Sequence, residues 1–227
     1  MLNSYPTIFY ASFQINSQLH VCNKNNAIRK EEALTDLAIL IIIVSWRSAR
    51  RGNGEISIIR TITKCYTLTG LTALYRYWKS SISDHFYTTN IKEIGTSARG
   101  LVGHHGYTSE GTQCLVYTRQ VAGSVPLYRY WKSDIGDHFY TTSSNEIGTT
   151  TPGVTGNHGY ISEGVAGYCF PHATAGTIPL YRYWKASVGD HFYTTYSGEI
   201  GTTVPGQVGQ HGYVSEGVAC YVMAYRE

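Results

Sequence analysis

The sequence predicts an all-β protein built on three copies of one aromatic-rich unit, and three observations support this fold class. The chain contains 20 Tyr and 24 Gly, and only 15% of its residues are charged. Tyr and Thr favour strands, whereas Gly favours turns and bulges. One motif recurs three times at a spacing of 53 residues without an insertion. Within each copy, short runs of strand-forming residues alternate with turn-forming residues.

The repeats divide the chain into an N-terminal extension, residues 1–70, and a three-repeat β domain, residues 71–227. The repeats cover about 74–126, 127–179 and 180–227. Each opens with Leu-Tyr-Arg-Tyr-Trp-Lys, continues through Asp-His-Phe-Tyr-Thr-Thr and Glu-Ile-Gly-Thr, and ends with His-Gly-Tyr-x-Ser-Glu-Gly. A fixed period of this kind indicates a repeat architecture. We expect four strands per copy, closed into a β-trefoil-like barrel with pseudo-threefold symmetry, because closure leaves no edge strand exposed.

Within the first copy, residues 79–83 form the turn of a hairpin between the first two strands. The expected register pairs Trp78 with Asp84 and Tyr77 with His85. The Glu-Ile step of the motif indicates a short turn or a single helical turn. The last two strands then flank Glu110 and the following glycine, and this glycine indicates a bulge or a tight bend. The glutamate either satisfies backbone N–H groups at that bend or faces a ligand.

The N-terminal extension does not match the repeats. Residues 27–46 are compatible with a short helix, and residues 37–44 are an apolar run. A membrane-spanning helix needs about 20 apolar residues, so we expect no stable membrane span. We interpret the run as a buried apolar segment or as part of a variable extension, in preference to a signal peptide, because it starts late and arginines follow it. An incorrectly assigned start is a third explanation. Cys65 and Tyr66 resemble Cys220 and Tyr221, which predicts a remnant strand or a strand that helps to close the fold.

An arginine, a tryptophan and an aspartate recur together in the predicted hairpins. In the expected register Arg76, Trp78 and Asp84 share one face, so the indole can stack on a sugar ring while the charged groups bind its hydroxyls. The alternative is structural, with an Arg76–Asp84 pair that locks the hairpin and a tryptophan that fills the core. The candidate ligand-binding residues are Arg76, Trp78, Asp84, Arg129, Trp131, Asp137, Arg182, Trp184 and Asp190.

Two histidines per copy allow further hypotheses. Zinc requires three or four convergent ligands, and each copy offers only the pairs His85/His105, His138/His158 and His191/His211. We therefore predict no metal site and a hydrogen-bonded structural role for His85 beside Tyr77. Catalysis by Asp84 and His85 together is disfavoured because adjacent residues of a strand point to opposite faces.

The remaining features restrict the function class. From residue 71 onward, 10 Lys+Arg face 11 Asp+Glu, and such a neutral domain does not favour nucleic-acid binding. The five cysteines form no C-x-x-C pair, which gives no support to a zinc ribbon, and their odd number leaves at least one without an intrachain partner. The sequence lacks a phosphate-binding glycine loop, a nucleophile elbow and an H-E-x-x-H motif. We therefore predict no cofactor and no catalytic residues.

The unit Pro-Leu-Tyr-Arg-Tyr-Trp … Asp-His-Phe-Tyr-Thr-Thr … Glu-Ile-Gly … Gly-Tyr-x-Ser-Glu-Gly-Val-Ala-Gly-Tyr resembles a repeat family of secreted bacterial, fungal and animal proteins that is catalogued as a domain of unknown function. The resemblance covers Leu74 to about Tyr225. The first copy departs from it, with Ala73 in place of proline and Thr-Gln-Cys at 112–114 in place of Val-Ala-Gly. Family members often lie beside extracellular hydrolase domains, which implies secretion and an accessory role in binding glycans or cell walls.

From the residues and this resemblance, we expect an extracellular, multivalent, lectin-like protein whose partners are glycans or glycoproteins. The main alternative is a structural or protein-interaction module in which every repeated residue serves the fold. An enzyme is a distant third hypothesis, because no copy carries a unique nucleophile or acid.

Overall fold

The computed structural model describes residues 20–22, 28–30, 40–50, 56–67 and 70–225. The chain divides into two compact units, Met1–Thr69 and Gly70–Glu227. Strands account for most of the regular structure of the described residues, as the sequence predicts.

Among its described residues, the N-terminal unit contains two antiparallel strand pairs. The pairs are β1 (His20–Cys22) with β2 (Ile28–Lys30), and β3 (Leu40–Arg50) with β4 (Ile56–Thr67). The predicted helix at residues 27–46 is therefore wrong where it overlaps β2 and β3, and its residues 31–39 lie outside the described residues. The apolar run is rich in β-branched isoleucine, which favours strands over helices. Cys65 and Tyr66 lie in β4, opposite Ile42 and Ile41 of β3.

The C-terminal unit forms one nine-stranded antiparallel sheet to which each repeat contributes three strands. In each repeat the first strand lies between the other two, and β7 connects the repeats by pairing with both β10 and β13. The predicted four strands per repeat are wrong, and the described sheet is open rather than a closed twelve-strand barrel. The strands are β5 (Leu71–Lys79), β6 (Asp84–Thr88), β7 (Thr108–Tyr117), β8 (Val125–Lys132), β9 (Asp137–Thr141), β10 (Ile161–Cys169), β11 (Thr177–Lys185), β12 (Asp190–Thr194) and β13 (Val214–Met223).

The hairpin register differs by one residue from the sequence-based expectation. Trp78 pairs with His85, and Lys79 pairs with Asp84. The turn therefore has four residues, and its last residue, Ser83, has a positive φ of 55°. A shift of one residue moves side chains to the opposite face of a strand. Consequently Trp78 shares its face with His85, and Asp84 lies on the other face.

A β-bulge occurs at the Glu-Gly step, where the sequence predicts a bulge or bend. Tyr77 pairs with Ser109 and Arg76 with Gly111, so Glu110 is the extra residue of a continuous strand. Gly111 has a φ of +88°, a conformation in which a side chain is strained. The bulge turns Glu110 towards the neighbouring strand, and it explains why β7 is one strand instead of two.

Short helical turns follow the second strand of each repeat, at Ile91–Glu93, Ser144–Ile147 and Ser197–Glu199. They confirm the turn predicted at the Glu-Ile step. Each turn is followed or closed by a buried isoleucine that packs with three aromatic rings, as Ile94 does with Tyr77, Phe86 and Tyr107. These three small clusters surround a central core that contains side chains from all three repeats.

Candidate functional site

Three buried tyrosines, one from the second strand of each repeat, form a closed ring of hydrogen bonds. The Tyr140 hydroxyl accepts from the Tyr87 N–H at 2.8 Å and donates to the Tyr87 carbonyl at 2.6 Å. Tyr193 bonds to Tyr140 in the same way, and Tyr87 bonds to Tyr193. Burial is the largest influence on these hydroxyls and raises their pKa values well above the ordinary value. Strands β6, β9 and β12 are thus tied to each other in a cycle.

The predicted ligand-binding aspartates are sealed inside the protein. Asp84 has no exposed surface. It accepts hydrogen bonds from the His138 N–H at 2.9 Å, from His138 Nδ1 at 2.7 Å and from the Tyr107 hydroxyl. Since an ionised carboxylate only accepts, Nδ1 must carry the proton of this contact. The other two pairs are Asp137 with His191 and Asp190 with His85.

Each aspartate thus joins its own repeat to the histidine of the next repeat. The predicted pairing of Arg76 with Asp84 is wrong, because the hairpin register places Asp84 on the opposite face. A direct contact between Asp84 and a ligand would require the buried hydrogen bonds to break. The predicted structural role of His85 holds with a different partner, since its ring bonds to Asp190 of the third repeat.

Carboxylate oxygens of Asp84, Asp137 and Asp190 lie within 4.8 Å of one another. Carboxylates are the residue type that hard cations prefer. Each of these carboxylates, however, already accepts hydrogen bonds from a histidine ring, a backbone N–H and a tyrosine hydroxyl. We therefore assign this cluster to inter-repeat bonding. Within residues 70–225, the hypothetical pair His85/His105 is not part of any group of three convergent metal ligands.

An arginine clamped by two glutamates lies at each boundary between repeats. Arg76 donates from Nη1 and Nη2 to Glu199 of the third repeat, at 3.0 and 2.9 Å. Its Nε lies 2.8 Å from Glu110 Oε2, and its guanidinium lies 5.1 Å from the ring centre of Phe192. Bidentate pairs of this kind are strong and geometrically specific. The equivalent clamps are Arg129 with Glu93 and Glu163, and Arg182 with Glu146 and Glu216.

The clamp keeps the inter-repeat glutamates ionised. Burial disfavours the charged form of Glu199, but hydrogen bonds from Arg76 and Thr194 outweigh burial and lower its pKa below the ordinary value of 4.5. Glu93 and Glu146 show the same lowered pKa for the same reasons. Burial opposes the charge of Arg76 as well, yet Glu199, Glu110 and the hydroxyl of Tyr87 raise its pKa. The Arg76 guanidinium and the Glu199 carboxylate therefore stay charged at neutral pH.

The tryptophan of each repeat extends this clamp into a larger surface. Trp78 is half-buried, and its ring packs against His85 with centroids 4.4 Å apart and an angle of 37° between the ring planes. His85 Nε2 lies 4.0 Å from Glu110. The side chains of Glu110 and Glu199 are 32% and 31% exposed, whereas the Glu110 oxygen that faces Arg76, Oε2, is buried. We call these groups boundary sites. The first is Arg76, Trp78, His85, Glu110 and Glu199; the second is Arg129, Trp131, His138, Glu163 and Glu93; the third is Arg182, Trp184, His191, Glu216 and Glu146.

Of the predicted site residues, the structure brings the arginine and the tryptophan of each repeat together and separates both from the aspartate. The sequence interpretation left open whether Glu110 binds backbone or ligand, and the structure places it beside Arg76 and His85. It missed Glu199 as a site residue. A signal existed, because a glutamate follows each Asp-His-Phe-Tyr-Thr-Thr motif at a fixed distance in a domain with few charges.

The nine-stranded antiparallel sheet and its three boundary sites define an all-β protein with a repeated surface site. The chain belongs to the family described as Domain of unknown function (DUF5648), whose model matches residues 73–223, well over half of the chain. No curated protein and no solved structure matches it. Among the residues that the structure describes, none forms a helix long and apolar enough to cross a membrane.

Proposed function

We propose that this protein is a secreted, multivalent, lectin-like protein that binds glycans or glycoproteins at its boundary sites, in a pseudo-threefold, trefoil-like arrangement of repeats. The observation that carries the proposal is the half-buried tryptophan next to two partly exposed glutamate side chains and an arginine, repeated three times. The aspartates of the sequence-based hypothesis are replaced in this role by the glutamates of the boundary sites.

The chemistry of each site suits a sugar. An indole offers an apolar face for the C–H side of a pyranose, and a few convergent polar groups fix the orientation of a ligand. Carboxylates accept from hydroxyls, and a guanidinium donates to them. The first site has two glutamates for one arginine, so its rim does not favour anionic ligands. We therefore expect neutral or amine-bearing glycans in preference to acidic glycans.

Three sites on one rigid domain also favour clustered ligands. The cyclic Tyr and Asp–His bonds hold the repeats in one arrangement, so the distances between sites are set before binding. Sites linked in this way gain avidity on a surface with repeated glycans without any additional contact. Individual sites can then be weak while attachment to a glycan-rich surface is strong.

One observation favours the alternative of a structural or protein-interaction module. The arginine of each boundary site already bonds to glutamates of two repeats, so the same residues stabilise the contact between repeats. In this alternative the half-buried tryptophans only cover the adjacent histidines. The two functions make different predictions. Addition of a sugar changes the environment of the indoles and of the partly exposed glutamates if the boundary sites bind glycans, and it leaves both unchanged if the sites are only structural.

Binding by the full chain tests the proposal. The protein is titrated with a panel of neutral, amine-bearing and acidic oligosaccharides, followed by tryptophan fluorescence and then by calorimetry. Saturable binding of neutral or amine-bearing sugars is expected, and Trp131→Ala should reduce the number of sites while the circular dichroism spectrum is retained. Val208→Ser is the matched control, because this valine is 68% exposed on a loop outside the sites. A folded protein that binds no oligosaccharide of the panel would contradict the proposal.

A further inference from the structure

The three boundary sites differ at one bulge residue. The first repeat has Gln113 where the second and third repeats have Ala166 and Ala219. Each of these residues is the extra residue of a second bulge in its strand, as the register shifts show. The backbone position is therefore the same in the three repeats, and only the first carries a long polar side chain.

The side chain of Gln113 spans the first boundary site. Its Oε1 accepts from Arg76 Nη1 at 3.0 Å, and its Nε2 donates to Thr195 Oγ1 at 3.1 Å. It thus connects the arginine of the first repeat to the third repeat. An alanine cannot make these bonds, so the arginines of the other two sites lack this partner.

Exposure of the arginines follows this difference. The side chain of Arg76 is 12% exposed, compared with 14% for Arg129 and 17% for Arg182. The differences are small, and the Nε atoms of all three arginines are buried, so the missing glutamine bond is the main difference between the sites. In the second and third sites no glutamine carbonyl accepts from the arginine Nη1, so an N–H group remains that can donate to a ligand hydroxyl.

Two neighbouring positions distinguish the same site. At the glycine of each Glu-Gly bulge, a Cβ would lie 3.3 Å from Pro152 in the second repeat and 3.2 Å from Pro205 in the third. In the first repeat the group nearest to this point is the side chain of Arg99, at 3.6 Å. A flexible cation thus replaces a rigid apolar ring beside the first site.

The residue after this glycine also changes. It is Val165 in the second repeat and Val218 in the third, and these side chains are 46% and 42% exposed. In the first repeat it is Thr112. The second and third sites therefore have a more apolar border, which suits the C–H faces of a sugar chain, whereas the first has a polar and positively charged border.

We infer that the boundary sites are unequal: the second and third bind glycan, and the first is closed by the Gln113 side chain that bridges Arg76 and Thr195. This inference rests on the proposed function, and it makes the protein bivalent. Gln113 is the residue that determines which sites are open. The expected ligand is a neutral sugar chain. In the second and third sites, a sugar hydroxyl accepts from the arginine N–H group that donates to Gln113 in the first site.

Indole signals of the full chain test the inference site by site. The ¹⁵N-labelled protein is titrated with neutral tetrasaccharides of glucose, galactose and N-acetylglucosamine, and each indole N–H is assigned by a Trp→Phe variant. We expect the Trp131 and Trp184 signals to shift saturably with at least one tetrasaccharide. The Trp78 signal should need at least tenfold more of it to shift by a comparable amount.

Two reciprocal variants complete the experiment. Gln113→Ala should make Trp78 respond over the same concentration range as Trp131, and Ala166→Gln should abolish the response of Trp131 while Trp184 keeps its own. Equal responses of the three indoles in the unmodified protein, or an unresponsive Trp78 in folded Gln113→Ala, would overturn the inference while the proposed function stands. If no indole responds to any of the tetrasaccharides, the proposed function itself fails, and this inference fails with it.

Discussion

The inner ring of the repeat domain and its outer boundary sites follow different rules. In the ring, the three N–H to tyrosine hydroxyl bonds are all 2.8 Å long, and the participating side chains are the same in every repeat. At the boundary sites the arginine clamp is also the same, but its neighbours differ, as Gln113 and Ala166 show. A buried polar group that loses its partner cannot turn to water, whereas an exposed group can. Threefold identity is therefore required in the buried ring, whereas the exposed rim is free to differ.

The largest expected effect comes from the buried aspartates. Asp137→Ala removes the acceptor of the His191 ring, the His191 N–H and the Tyr160 hydroxyl. Each buried donor that loses its acceptor costs about 1–3 kcal/mol of unfolding free energy, and three donors lose their acceptor here. Chemical denaturation of the full chain measures this loss. The control is Asp134→Ala three residues away, whose side chain is 72% exposed and whose loss should cost less than about 0.5 kcal/mol. Similar stabilities of the two variants would contradict the buried role.

A smaller effect is expected for the tyrosine ring. Tyr140→Phe keeps the ring packing but leaves the N–H and the carbonyl of Tyr87 without their partner. An unsatisfied buried group costs about 1–3 kcal/mol, so the midpoint of urea unfolding should fall accordingly. Tyr196→Phe serves as the matched control, because Tyr196 is 69% exposed. A Tyr140→Phe protein as stable as the control would show that the hydroxyl cycle does not stabilise the domain.

The smallest expected effect is the loss of stability at low pH when the glutamates of the boundary sites are protonated. The pKa values of Glu93, Glu146 and Glu199 are lowered in the folded protein, so their stabilisation is complete above the unfolded value of about 4.5. As the pH falls below this value the unfolded chain takes up protons first, and the stabilisation is lost as the pH passes the folded pKa values. Each carboxylate should contribute less than about 1 kcal/mol, since solvent screens its exposed part.

Urea unfolding between pH 7 and pH 3 measures this loss for the unmodified protein and for Glu146→Gln. The variant should show a smaller decrease between pH 5 and pH 3 than the unmodified protein, because one of the three titrating groups is absent. Asp134→Asn is the control, and it should keep the full decrease. Identical pH dependence in all three proteins would argue against the arginine clamp as the cause.

The sequence predicts much of the fold and about half of each candidate site. Strand-forming composition and the 53-residue period indicate the β domain and the bulge at Glu110, because these features depend on neighbouring residues. The hairpin faces were wrong because one residue of turn length reverses the face of Asp84. The partner of Asp84 is His138, 54 residues away, and no local pattern encodes such a contact. The N-terminal helix was wrong because β-branched residues at 41–44 outweighed the apolar run as a helix signal.

The cyclic bonding has a consequence for how the chain is made. His85 in the first repeat bonds to Asp190 in the third, 105 residues later, so a ribosome must complete nearly the whole array before its first hairpin can obtain that partner. Contacts this distant slow folding. Each repeat also carries both residue types of the Asp–His bonds that connect the repeats. Three separate copies of one such repeat would therefore contain every group that the cycle of bonds requires.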